Sequence, residues 1–174
     1  MSLNRIAIGV SSCLLGHKVR YDGSDKRNSI VGNQICNYFD CRPICPEYAI
    51  GLGVPRDPIQ LVKLDTGIRA LKVADKTIDV TYPLVQYAAY VFNALPQICG
   101  YVFKARSPSC GLTDTPIYNQ SGDVNAKGRG VYANQICELK NSLPVIDEIQ
   151  LAILEARQEF IREVERYSRS IQQN

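Results

Sequence analysis

"RIAIGVSSCLLG", Arg5 to Gly16, is the stretch on which the fold turns. From Ile6 to Val10 it is a near-continuous apolar run, without the in-out alternation of a strand that has one wet face. Such a run suits a strand buried on both sides, as parallel strands are when helices cover the sheet above and below. It breaks at Ser11-Ser12-Cys13 and enters a loop with two glycines, "CLLGHKVRYDG". The cysteine therefore stands at the carboxyl end of a buried strand, the edge where open α/β sheets bind ligands.

Outward from there, strands and helices alternate. Asn28 or Ser29 caps a helix carrying Ile30, Val31, Ile35 and Tyr38 or Phe39 on one side. "RPIC" (Arg42 to Cys45) is a short second strand ended by Pro46, and its Pro43 counts against a strand there. "IQLVKL" and "IRALKV" flank Asp65-Thr66-Gly67 as a β-hairpin. Thr81 caps the next helix, Pro83 falls in its first turn, and Leu84, Ala88, Val91, Phe92 and Leu95 form its apolar stripe. "ICGYVF" (Ile98 to Phe103) is a third strand. A long polar segment follows from Thr113 to Gly130, with "NQSGDVNAKGRG" as its mobile loop. A helix from Val131 to Lys140, a strand in "LPVID" and an amphipathic helix from Glu148 to Tyr167 complete the chain. The expected fold is α/β: a mostly parallel sheet with helices on both faces, a Rossmann-like three-layer sandwich with a small β-hairpin insertion, in one domain over residues 1–174.

Composition excludes several classes. The 174 residues are 45% hydrophobic, enough for a full core, and the net charge is +3. That balance, without a long basic run, gives no nucleic-acid footprint. No apolar stretch reaches membrane-spanning length, and the N-terminus has no signal-peptide core. A cytoplasmic protein without nucleic-acid or membrane partners is expected; nothing in the sequence sets the oligomeric state.

Seven cysteines and one histidine then need a reading. A reducing compartment disfavours structural disulfides, so metal or thiol chemistry is the default. There is no C-x-x-C and no histidine pair, which leaves no zinc-finger pattern. Three cysteines sit past strand ends: Cys13 in "SSCLLG", Cys45 in "ICPE" and Cys110 in "SPSCG". Thiolates brought together repel one another unless a cation neutralises them, so a soft metal centre is the economical reading. Three ligands also leave a coordination position open, as catalytic sites do. Cys36, Cys99 and Cys137 read as small buried hydrophobes, and Cys41 as deeper in the sheet than Cys45.

The set "SSCLLG", "VRYDG", "CPE", "GLGVPR", "FKARSPSCG" and "GRGVYA" resembles the thiouracil desulfidase family, long described as a domain of unknown function. The resemblance runs from about Ile6 to the last strand. It implies a [4Fe-4S] cluster on Cys13, Cys45 and Cys110 with one open iron, a cofactor lost in air. It implies a non-redox reaction that releases sulfide from a thiolated pyrimidine: 2-thiouracil, 4-thiouracil or a related nucleotide. Carried over by motif, Glu47 is the acid/base carboxylate and Ser107 assists at the substrate. Ser12, Arg56, Lys104 and Ser109 are candidate substrate contacts. His17, Asp22 and Gly23 read as loop and turn residues, and "GRGVYA" as a helix start facing an anion or the substrate. Two other classes compete. One is a cysteine-based structural metal site; the other is a thiol- or persulfide-handling protein with a nucleophilic cysteine.

Overall fold

A computed structural model describes residues 5–172. The chain runs β1 (Ala7–Ser11), α1 (Cys36–Tyr38), β2 (Asp40–Ile44), α2 (Pro46–Ala49), β3 (Ile59–Leu64), β4 (Gly67–Lys72) and α3 (Thr81–Ala94). It continues through β5 (Tyr101–Phe103), β6 (Thr115–Tyr118), β7 (Val124–Gly128), α4 (Val131–Leu139), β8 (Val145–Asp147) and α5 (Leu154–Gln172). A 3-10 turn (Ser12–Leu15) follows β1, and a π-helical turn (Val31–Ile35) leads into α1.

The central sheet has the order β2–β1–β5–β8, with every pair parallel. β1 is buried along its whole length, as its apolar run requires. Ile8, Val10, Val102 and Ile146 face a core closed by Val31, Ile35, Phe160 and Val164. Tyr101 and Phe103 face the opposite core, against Ala88 and Val91 of α3 and Tyr132, Ala133 and Ile136 of α4. The expected sandwich is present. β2 lies at the sheet edge, which is why Pro43 is tolerated opposite Val10.

The expected hairpin is β3–β4, paired from Ile59↔Lys72 to Leu64↔Gly67. It is half of a larger unit. β6 joins β3 in parallel, β7 joins β6, and a second sheet results in the order β4–β3–β6–β7. The polar segment from Thr113 to Gly130 therefore carries two strands, and the expected mobile loop contains β7. Thr115 and Ile117 point inward while β7 is exposed, so only two residues betrayed the alternation.

Several ends differ from expectation. Asn28 does cap its helix, its Oδ1 accepting from the Ile30 and Val31 N–H groups at 3.0 and 3.1 Å. Thr81 does not cap α3; its Oγ1 accepts from Ala70 N–H at 2.7 Å and ties the helix start to β4. The last helix begins at Leu154, and Ile149 and Ile153 stand exposed before it. Asp147 Oδ1 accepts from the N–H groups of Ile149 and Gln150, which holds that region as a 3-10 turn instead. Cys36 and Cys41 form a disulfide, neither a free packing thiol nor a spare metal ligand.

Candidate active site

β1 is central: its neighbour on one side follows it in the chain, and its neighbour on the other comes much later. That reversal of strand order opens a crevice at the carboxyl ends. A cavity of about 290 Å³ lies there. Cys13, Cys45 and Cys110 all line it, one past each of β1, β2 and β5. The three thiols share this cavity, and Cys110 feels the charge of both others. Among the described residues, no group of three His, Cys, Asp or Glu is placed to hold a metal ion.

Burial makes these thiols poor nucleophiles. It pushes Cys13 up to about 11, with the neighbouring Cys45 adding to the rise and Lys104 opposing it. Burial also raises Cys45 and, further, Cys110. Cys110 feels Cys13, Cys45 and Glu47 as like charges, while the Ser11 hydroxyl, hydrogen-bonded to it, favours its thiolate. A nucleophilic cysteine needs a lowered pKa. Desolvated thiols whose thiolates would repel one another ionise together only around a cation, and a soft one matches sulfur.

Glu47 is in the first turn of α2, two residues past Cys45. Its side chain is 13% exposed and lines the cavity. Arg56 donates to Oε2 through Nε at 3.0 Å and Nη2 at 2.9 Å. Ser109 Oγ donates to Oε1 at 2.6 Å. Both oxygens are thus held, one by a charge and one by a hydroxyl. The guanidinium is only 4% exposed, and its Nη1 donates to Val19 O and Gly53 O at 2.9 and 2.8 Å. Arg56 is committed to the protein, and Ser109, fully buried, stands behind the carboxylate.

The remaining expected residues divide in the same way. Ser12 lines the cavity and is 6% exposed. Ser107 lines it too, and its Oγ accepts from Cys110 N–H at 3.0 Å and Ser109 N–H at 3.3 Å, leaving its own proton to give. Lys104 Nζ donates to Glu148 Oε1 and, at 2.9 Å, to Ala105 O. Arg106, the sole non-glycine residue with positive φ (59°) among the described residues, turns its side chain outward to Asp114. His17 is exposed and lies off the cavity. Sequence reading missed Ser11, Tyr21 and Lys26, which complete the wall. "RYDG" forms the expected turn, and its Tyr21 lines the cavity.

The α4 N-terminus faces no anion. Gly130 N–H donates to Gly111 O at 2.8 Å, Val131 N–H to Pro108 O at 3.0 Å and Ala133 N–H to Ser109 O at 3.0 Å. The helix start spends its free donors on the loop that carries Cys110. Gly130 is required by proximity: a Cβ there would stand 2.5 Å from Ser109 C and 2.8 Å from Cys110 N, both backbone atoms that cannot swing aside. Gly130→Ala is expected to cost roughly 1–3 kcal/mol and to lower iron uptake. Urea unfolding and iron analysis check this against Gly32→Ala, where an added Cβ meets nothing within 4 Å.

The 2-thiouracil desulfurase family profile matches residues 8–148, which span all three thiols and Glu47. The chain belongs to the 2-thiouracil desulfurase family. The chain is therefore an enzyme of that family. It is also similar to a solved structure, the [4Fe-4S]-dependent thiouracil desulfidase TudS. The TM-score is 0.64 at 28% identity, over 85% of this chain and 94% of that one. No curated protein matches the desulfurase. No helix among its described residues is long and apolar enough to cross a membrane.

Proposed function

We propose that this chain replaces the thiocarbonyl sulfur of a thiolated pyrimidine with oxygen, without net redox change, using a [4Fe-4S] cluster on Cys13, Cys45 and Cys110. The observation that carries the reading is the set of three cysteine thiols lining one cavity, with the clamped Glu47 carboxylate on the same wall. Three cysteine ligands that leave a position open would suit a cluster better than a structural zinc ion, which closes its shell with four. When bound, the cluster supplies a sulfur-seeking Lewis acid at its open iron.

The protein residues do the rest. Glu47 takes a proton from the attacking water and returns it as sulfide departs. Ser107, with its lone pairs occupied by N–H groups, donates its proton to the heterocycle. Lys104 has two protons committed and offers the third to a substrate oxygen. Arg56 and Ser109 act through Glu47, fixing its orientation, and Ser12 lines the base. Substrates are 2-thiouracil, 4-thiouracil or a related nucleotide.

The test is anaerobic reconstitution followed by turnover. About four irons per chain, with uracil and sulfide released one for one, is the expected result. A protein that takes up no cluster under those conditions overturns the mechanism. A loaded protein that turns over neither thiouracil is a metal-binding relative without the activity.

A further inference from the structure

Among the described residues, the cavity lining contains one aromatic side chain, Tyr21. It is 41% exposed, unusual for a large ring lying beside buried thiols. Its carbonyl and the turn that follows it are held by hydrogen bonds. Arg56 N–H donates to Tyr21 O at 2.8 Å, and Gly23 N–H donates to Arg20 O at 3.0 Å. Asp22 Oδ1 accepts from Ser24 N–H at 3.0 Å and from Ser24 Oγ at 2.6 Å. Gly23 takes the left-handed φ of +75° that closes this turn. The Arg20 guanidinium lies 5.5 Å from the Tyr21 ring centroid, with its Nε donating to Ser24 Oγ at 3.2 Å.

A planar heterocycle presents a polar edge and two flat faces. The serines, Lys104 and Glu47 can read the edge; none of them offers a surface to a face. We propose that Tyr21 is the binding platform for the pyrimidine, stacking on one face of the ring while the thiocarbonyl points toward the thiols. The fixed turn holds the platform in position before substrate arrives, so little order is lost on binding. This rests on the desulfidase reading above.

Stacking of a base on an aromatic side chain is worth about 1–3 kcal/mol by alanine substitution. Tyr21→Ala should therefore raise KM for 2-thiouracil roughly tenfold or more, with kcat nearly unchanged, because the face contact is equal in ground and transition states. Tyr21→Phe should keep the wild-type KM. The chain has no tryptophan, so Tyr21→Trp introduces a sole indole whose emission 2-thiouracil should quench, saturating near KM. An unchanged KM in Tyr21→Ala overturns the proposal, as does an equal loss of kcat in Tyr21→Ala and Tyr21→Phe. If the reconstituted wild type turns over no thiouracil, saturable quenching in Tyr21→Trp still supports the platform, and its absence overturns it.

Discussion

Glu47→Gln should lower desulfidase kcat by about 100- to 10,000-fold, the usual worth of a positioned acid/base group, while the protein still binds its iron. The amide keeps the shape but cannot accept the proton of water. It also leaves the Arg56 guanidinium, 4% exposed, without its counter-charge. Removing one member of a buried pair costs roughly 3–5 kcal/mol, so the urea midpoint should fall in the same variant. The two effects separate on measurement. At low urea the protein remains folded and loaded, and only catalysis is lost. A variant with near-native kcat would remove Glu47 from the chemistry and leave the Arg56 pair as a structural brace.

Cys110→Ala should abolish the cluster. Wild-type protein reconstituted without oxygen should hold about four irons and absorb broadly in the visible; the variant should do neither. The fold should survive, because trimming one buried sulfur costs only about 1 kcal/mol. Circular dichroism and iron analysis on the same sample check both halves. Cys99→Ala is the control, since that thiol is buried against α5 and lines no part of the cavity. Full iron content in Cys110→Ala would move the ligand set elsewhere and end the three-strand reading of the site.

Much of this architecture is legible in the letters because the central strands are saturated with apolar residues. β1 could hardly be anything but a covered parallel strand, and it places Cys13 at the sheet edge. The failures have a common cause. β7 is an exposed edge strand, so no burial pattern marks it, and β6 marks only Thr115 and Ile117. Ile149 and Ile153 fit a helical period by accident, while Asp147 redirects the local N–H groups. At the site, residue type and strand-end position pointed to the thiols, and the family resemblance pointed to Glu47. Side-chain direction did not follow from type: Arg56 and Ser109 look like ligand contacts in the sequence, and in the fold they turn to Glu47. The Cys36–Cys41 pair was hidden by the assumption of a reducing compartment.

The brace from α4 to the Cys110 loop sets an order of events during synthesis. A nascent chain that has cleared the ribosome to Gly111 has already delivered every thiol of the site. It has not delivered Gly130, Val131 and Ala133, whose N–H groups hold the loop in place. Domains assemble as units while translation proceeds. Iron donors should therefore find no competent acceptor until α4 has emerged, and truncation before residue 130 should yield chains that carry Cys13, Cys45 and Cys110 yet cannot mature.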